Sequence, residues 1–500
     1  MIEESKIYQA YYTKSRPIVD YMVEMLGLNG DENVLEPCAG DGVFIDSIIK
    51  LFPDIKIDVL EMNEGAYTDL LTKYSSFDNI SIKKTDTLTD IDLDLISNMG
   101  GSYDSIIANP PYGAWRDQDS RKKLKKRYNG FYAKESYTLF LYRCIKLLKE
   151  SGRLVFIIPD TFLNLHMHKE IRKTILTETK IKEISLFPSS FFPGVDFGYA
   201  NLSIVVLEKC SNRKACLKNN FKVNKDFKSV NDLYNIDDKS IDKLHLNQKR
   251  TYDNSDHSFL TSSNGIVSKC ITNSNNTIGN ICNCVTGFYS GNDKKYLKVL
   301  NQDIRNSKRY ETVDLSLVEF NCNPSHINGI SGEKEFVPIV KGGNKKYYKH
   351  DHWFMKWSIE QVAYYKQNKK ARYQNASFYF KKGIGVPMVS SKSITAALIE
   401  NRLFDQSIVG VFPHDESIIN YLLAFFNSPT CNSLIRTINP SANNSANYIK
   451  KLPLIFPSDS VLSIIITNIE TILLNIRDGQ PVDKSLETEN NSFIKELYGF

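Results

Sequence analysis

The strongest constraint on the fold of this chain is a change of hydrophobic period that repeats over its first 210 residues. Short apolar runs of strand type alternate with segments that carry apolar residues on one helical face. Asn33–Glu36, Ile55–Leu60, Ile80–Lys83, Ser105–Ala108, Arg153–Ile158, Ile184–Phe187 and Leu202–Leu207 read as strands. Pro17–Leu26, Gly42–Phe52, Ser136–Lys149 and Lys169–Leu176 read as helices, and Ile18, Val19, Met22, Met25 and Leu26 share one face of the first. Such alternation builds a mostly parallel sheet covered by helices, because parallel neighbours need long crossovers. The expected class is α/β. Ligands of such a sheet bind beyond the carboxyl ends of its strands, and the chain's unusual residues stand there.

Ser105–Ala108 runs into Asn109-Pro110-Pro111-Tyr112. The prolines fix the backbone, so the Asn109 side-chain oxygen and the Pro110 carbonyl are acceptors placed in advance. Tyr112 adds an aromatic face. These groups suit an exocyclic amine on a planar base. Its lone pair is delocalised into the ring, so it is a weak nucleophile. Two aimed acceptors draw the nitrogen toward tetrahedral geometry and stabilise the charge that develops on attack. A plain strand-to-turn with a Pro-Pro stop gives the same tetrapeptide, so context has to decide.

The context lies upstream. Val34-Leu35-Glu36-Pro37-Cys38-Ala39-Gly40-Asp41-Gly42 is a strand, an acid and a glycine turn leading into a helix. It lacks the Walker lysine and the dinucleotide glycine spacing, so it is not a phosphate cradle. Its glycines admit a ligand close to the backbone. Glu36 presents a carboxylate to an ammonium group. Glu61, followed by Met62, ends the next strand, where a carboxylate can accept from ribose hydroxyls. Asp86 follows the third strand and can accept from an adenine amino group. In order, these parts suit S-adenosylmethionine.

Around Cys210 the texture turns polar, and from about residue 281 short β-type runs such as Phe336–Val340, Phe378–Phe380 and Ser407–Phe412 precede helical stretches at Glu416–Phe426 and Ser460–Leu474. This divides the chain into 1–210 and a mixed α+β domain, 211–500. The net charge of +6 is uneven: residues 1–210 hold 26 Lys+Arg against 30 Asp+Glu, the remainder 37 against 27. A basic half joined to a near-neutral one suits a polyanion partner. The segment Arg121, Lys122, Lys123, Lys125, Lys126 and Arg127 follows the Asn-Pro-Pro-Tyr loop closely. Lys341, Lys345, Lys346, Lys381 and Lys382 lie among aromatics. All are candidate phosphate ligands, against the plainer reading of solvated loops and lysine-protected edges. The nine cysteines form no framework, which reads as reduced thiols. His350 and His352 lack a third ligand, so no metal is expected. No apolar run reads as a membrane span, and Met1-Ile2-Glu3-Glu4 lacks the character of a secretion signal. A cytoplasmic location is expected.

In these motifs and their order, the chain resembles the gamma group of DNA adenine-N6 methyltransferases, the TaqI-like enzymes of restriction–modification systems. Ala10-Tyr11-Tyr12-Thr13 resembles the family's first motif, although Lys14 stands where proline is usual. Leu35-Glu36-Pro37 with Gly40-Asp41-Gly42 resembles its glycine-rich motif. Phe191-Phe192-Pro193-Gly194 resembles a late motif whose aromatic clamps the flipped base, with Phe192 the candidate and Phe197 and Tyr199 its rivals. The resemblance implies a Rossmann-like methyltransferase domain followed by a target-recognition domain. It implies S-adenosylmethionine held by Tyr12, Thr13, Glu36, Pro37, Gly40, Gly42, Glu61, Met62, Asp86 and Asn109. Catalysis would fall to Asn109, Pro110, Pro111, Tyr112 and Phe192, double-stranded DNA would be the substrate, and a cognate restriction endonuclease could be a separate chain. The alternatives are methylation of RNA adenine N6 or of a protein glutamine N5, and a non-catalytic DNA-binding module.

Overall fold

A computed structural model of the chain describes residues 13–113, 116–191, 201–237, 241–261, 265–273, 276–343, 345–390, 393–439 and 442–500. It divides into two compact units, 1–263 and 264–500.

The first unit is built on a nine-stranded sheet of order β3-β2-β1-β4-β5-β7-β6-β8-β9. The strands are β1 Asn33–Glu36, β2 Lys56–Glu61, β3 Ile80–Lys84, β4 Tyr103–Ala108, β5 Leu148–Pro159, β6 Thr179–Phe187, β7 Leu202–Lys209, β8 Asn220–Lys225 and β9 Asp242–Asn247. Strands β1 to β5 pair in parallel, and β7 runs antiparallel between β5 and β6. Its main helices are α1 Arg16–Leu26, α2 Val43–Leu51, α3 Glu64–Lys73, α4 Ile91–Asn98, α5 Gln118–Arg127, α6 Tyr137–Leu147 and α7 Lys169–Glu178. Central strands are apolar on both faces, as a doubly covered sheet requires: Leu154 to Ile158 of β5 and Ile106 to Ala108 of β4 are all buried. The chain order reverses between β1 and β4, and that switch point is where such sheets bind ligands.

The boundary expected at 210 falls inside this unit. Beyond it, β8 pairs with β6 and β9 with β8. The buried Gln248 seals the extension. Its Oε1 accepts from Ile181 N at 2.8 Å, and its Nε2 donates to Thr179 O at 3.0 Å and Leu176 O at 3.1 Å. Polar residues at 211–263 therefore complete a sheet rather than begin a second domain. Sequence pattern missed these strands because their burial rests on the neighbouring strand, not on their own periodicity.

The second unit holds two four-stranded sheets, β10-β17-β14-β15 and β11-β13-β12-β16. These strands are β10 Cys282–Thr286, β11 Leu297–Val299, β12 Phe336–Val340, β13 Trp353–Lys356, β14 Gly383–Pro387, β15 Ala397–Ile399, β16 Leu403–Phe404 and β17 Ile408–Pro413. An aromatic core of Phe288, Trp357, Tyr365, Tyr379 and Phe404 fills it. Gly287 is required there, because a Cβ would lie 2.0 Å from Phe404 O. Phe378–Phe380, expected as a strand, instead follows a 3₁₀ turn at Ala376–Phe378, and Phe380 has φ 62°. Burial of Tyr379 and Phe380 in the core dictates that bend. The helices Ile419–Asn427, Pro429–Ile438, Asp459–Arg477 and Lys484–Leu497 follow. By length and composition alone, Asp459–Arg477, with 19 residues and a mean hydropathy of 1.4 over its most apolar window, could cross a membrane. Its Ile465, Ile469, Ile472 and Leu473 are buried inside the protein, which accounts for the apolar character of that face.

Candidate active site

Pairing register brings the chemistry to one sheet edge. Leu35 lies opposite Ile106, Glu36 opposite Val59, and Glu61 opposite Lys84. Glu36, Glu61, Asp86 and Asn109 therefore leave four adjacent strands at their carboxyl ends.

Glu36 is 1% exposed, and its Oε2 has no hydrogen-bond partner among the described residues. Burial, then the nearby Asp41, Glu61 and Asp46 carboxylates, push its pKa well above the usual carboxylate range. A buried carboxyl in that setting favours a cation or a proton beside it. The turn that follows has Gly40 at φ 58° and Gly42 at φ 76°. A Cβ on Gly42 would lie 2.5 Å from the Tyr74 hydroxyl. That hydroxyl lies 2.8 Å from Gly42 O and 2.7 Å from Asp46 Oδ1, so the turn is braced from the end of α3.

Glu61 organises the same turn. Its Oε2 accepts from Gly40 N at 2.9 Å, and its Oε1 from Met62 N and Asn63 N at 2.8 and 2.7 Å. Two donors fill Oε1, while Oε2, with one, keeps a lone pair for a further hydrogen bond. Asp86 accepts from Leu88 N at 3.1 Å and from Arg116 at 2.8 Å. Thr87 Oγ1 donates to Pro37 O, joining the third strand's loop to the first.

Asn109 is oriented by two neighbours. Its Nδ2 donates to Thr13 Oγ1 at 3.0 Å, and the Tyr112 hydroxyl lies 2.5 Å from its Oδ1 and 3.1 Å from Ile157 O. Thr13 is buried. Ser136 Oγ donates to Pro111 O at 2.8 Å, holding the second proline from α6's N-terminus. Tyr112 packs closely. It is only 4% exposed, and its hydroxyl is turned inward against the Asn109 amide and Ile157 O. Tyr12, Phe192, Phe197 and Tyr199 lie outside the described residues.

The basic segment after the loop is a helix, α5, capped by Asp117, whose Oδ1 accepts from Asp119 N and Ser120 N at 2.8 Å. Leu124 is buried, while Lys122, Lys123, Lys125 and Lys126 are exposed; Arg121 is half-buried. Lys122 pairs with Asp119 at 3.1 Å, and Arg127 pairs with Asp94. In the second unit, two of the expected phosphate ligands are ion-paired. Lys341 sits between Asp293, at 2.6 Å, and Asp405, at 3.2 Å, and Lys346 pairs with Glu487 at 2.7 Å. Partial burial beside carboxylates explains both. Lys345, Lys381 and Lys382 are exposed. Sequence reasoning does not single out Arg116 or Ser136. Arg116 is marked only by nearness to Tyr112, and Ser136 by nothing short of the fold. Among the described residues no His/Cys/Asp/Glu group is arranged to hold a metal.

Residues 47–192 match the Eco57I restriction-modification methylase family. The chain is 29% identical over 267 residues to the type II methyltransferase M.AccI of Acinetobacter calcoaceticus, covering 51% of this chain and 46% of that protein. It is 29% identical over 205 residues to M.HincII of Haemophilus influenzae, covering 39% and 37%. It is 33% identical over 148 residues to modification methylase CviBIII of Paramecium bursaria Chlorella virus NC1A, covering 29% and 35%. The chain thus spans under half the length of these relatives. Among solved structures it is similar to a nuclease-deletion mutant of the type ISP restriction-modification enzyme LlaGI in complex with a DNA substrate mimic (TM-score 0.55, 12% identity, 93% of this chain, 54% of that one). It is also similar to the DrdV–DNA complex (TM-score 0.54, 14% identity, 93% and 57%). The fold is that of the Rossmann-like S-adenosylmethionine-dependent methyltransferases of restriction–modification systems, with an additional mixed unit. The residues present fit that cofactor in their chemistry: the buried Glu36 Oε2 lacks a partner and lies among other carboxylates, a setting that would suit an ammonium group.

Proposed function

We propose that this chain is a site-specific DNA methyltransferase that transfers the methyl group of S-adenosylmethionine to N6 of an adenine flipped out of the duplex. The observation that carries the reading is the Asn109 amide, oriented by Thr13 and Tyr112 at the end of β4, one strand from the orphaned Glu36 carboxylate at the end of β1. S-adenosylmethionine supplies a methyl group on a cationic sulfur. Glu36 would hold its ammonium, Glu61 its ribose and Asp86 its adenine. Asn109 Oδ1 and the Pro110 carbonyl would accept the N–H groups of the target amine, stabilising the charge that develops on nitrogen. Flipping is needed because N6 cannot be reached in line within the stack. Exposed lysines of α5 would neutralise backbone phosphates, which position the duplex without reading its sequence. The target-reading role falls to the second unit. Its boundary at 264 gives it 27 Lys+Arg against 20 Asp+Glu, while residues 1–263 hold 36 against 37. A cognate endonuclease as a separate chain and a cytoplasmic location accompany this reading.

The test is nucleoside mass spectrometry of duplex DNA incubated with the protein and S-adenosylmethionine. N6-methyladenine is expected. N4-methylcytosine alone, methylation of RNA but not DNA, or no modified base overturns the reading.

A further inference from the structure

The basic helix does not hang freely from the catalytic loop. Both of its ends are fastened to one segment, Asp86–Asp94, which leads from β3 into α4. At the leading end, Arg116 donates to Asp86 Oδ1 at 2.8 Å, and the two side chains are only 12% and 18% exposed. At the trailing end, the Tyr128 hydroxyl donates to Leu88 O at 2.8 Å. Arg127 pairs with Asp94 and donates to Thr89 O at 3.4 Å. Leu88 N itself donates to Asp86 Oδ1 at 3.1 Å, so both fastenings converge on one short turn. That turn is bound to the glycine loop of β1 through Thr87 and Pro37. Asp86 is thus held from the side of the DNA-facing helix, while the proposed cofactor reading places adenine against it.

We propose that Arg116 is a positioning residue that mounts the basic helix on the cofactor's adenine loop, so that cofactor occupancy and binding of DNA phosphates strengthen each other. The proposal rests on the cofactor reading above. Adenine held by Asp86 stiffens the turn to which α5 is fastened. A helix already held in place loses less freedom when its lysines meet phosphates, and by linkage DNA tightens the cofactor by the same factor.

The experiment measures the affinity of the full chain for a fluorescent duplex of random sequence, at constant ionic strength, with and without saturating S-adenosylhomocysteine. Calorimetry measures S-adenosylhomocysteine affinity in parallel, and thermal melts confirm that each variant is folded. The wild-type chain should bind the duplex roughly 5- to 20-fold tighter with the cofactor product bound, within the usual range of coupling between sites. Arg116→Gln should lose most of that factor while still binding S-adenosylhomocysteine. Arg116→Lys, which keeps a cation able to reach Asp86, should retain part of it. Removing Lys122, Lys123, Lys125 and Lys126 together should weaken DNA binding and abolish the coupling. A wild-type chain that binds S-adenosylhomocysteine but shows no coupling overturns this proposal alone, as does full coupling in Arg116→Gln or in the quadruple lysine variant. A wild-type chain that binds no S-adenosylhomocysteine overturns the proposed function as well.

Discussion

At the residue scale, aim matters more than presence. An amide has a donor end and an acceptor end, and only the acceptor end can polarise an amine. Thr13 accepts from the Asn109 nitrogen and Tyr112 lies against the oxygen, which sets the acceptor end by geometry. Asn109→Ala should therefore lower kcat by roughly 10²-fold or more, by analogy with losing one oxyanion-hole donor. Tyr112→Phe keeps the ring and removes the hydroxyl. It should also lower kcat, whereas a role in stacking alone would leave kcat near wild type; single-turnover methylation separates the two. Glu36 gives a pH dependence. Its carboxyl holds a proton above the usual carboxylate range in the cofactor-free protein, and an ammonium ligand needs it ionised. Cofactor binding should then release about one proton below that raised pKa, so affinity rises with pH up to it. Calorimetry in buffers of different ionisation enthalpy reads that proton. Glu36→Gln should flatten the profile and weaken binding. The sign for stability is opposite. A carboxyl whose pKa is raised on folding costs stability as pH rises past its unfolded value. Glu36→Gln should therefore raise the Tm of the cofactor-free protein at a pH of about 8 and much less at about 4, near the ordinary carboxylate value.

At the scale of elements, α5 shows how a charge run acquires structure. Arg121 to Tyr128 carries six cations, and the segment forms a helix because Asp117 caps it and Leu124 and Tyr128 bury one side. The remaining lysines are left facing solvent. Replacing Lys122, Lys123, Lys125 and Lys126 with Ala should make the salt dependence of DNA affinity shallower by about 0.9 for each phosphate no longer neutralised, without changing which site is methylated. Filter binding against salt, with mapping of methylated sites, checks both parts; an unchanged slope would mean that this face does not meet DNA.

At the scale of the molecule, the place where the first unit ends has consequences. A fragment of residues 1–210 would remove Gln248 from the buried Ile181 N–H and the Leu176 and Thr179 carbonyls, and strip β8 from β6. Unsatisfied buried backbone groups cost about 1–3 kcal/mol each. A fragment of residues 1–263 should fold cooperatively and bind S-adenosylmethionine, while 1–210 should aggregate or melt well below it; circular dichroism melts and calorimetry decide. Much of this architecture is legible in sequence. The central strands β1, β4, β5 and β7 announce themselves through apolar runs, since a strand buried on both faces must be apolar whatever its neighbours are. The order of Glu36, Glu61, Asp86 and Asn109 at successive strand ends is legible for the same reason: local pattern marks where each strand stops. Pairing is not. That β8 and β9 belong to the catalytic sheet, that Lys341 and Lys346 face carboxylates, that Tyr112 turns inward and that Arg116 meets Asp86 all depend on residues distant in the chain. Local sequence determines an element whose burial pattern is complete within its own residues, such as β4 or β5, because backbone conformation acts over a few residues. Only the tertiary structure decides what each polar group meets, because that depends on which distant groups share its surroundings.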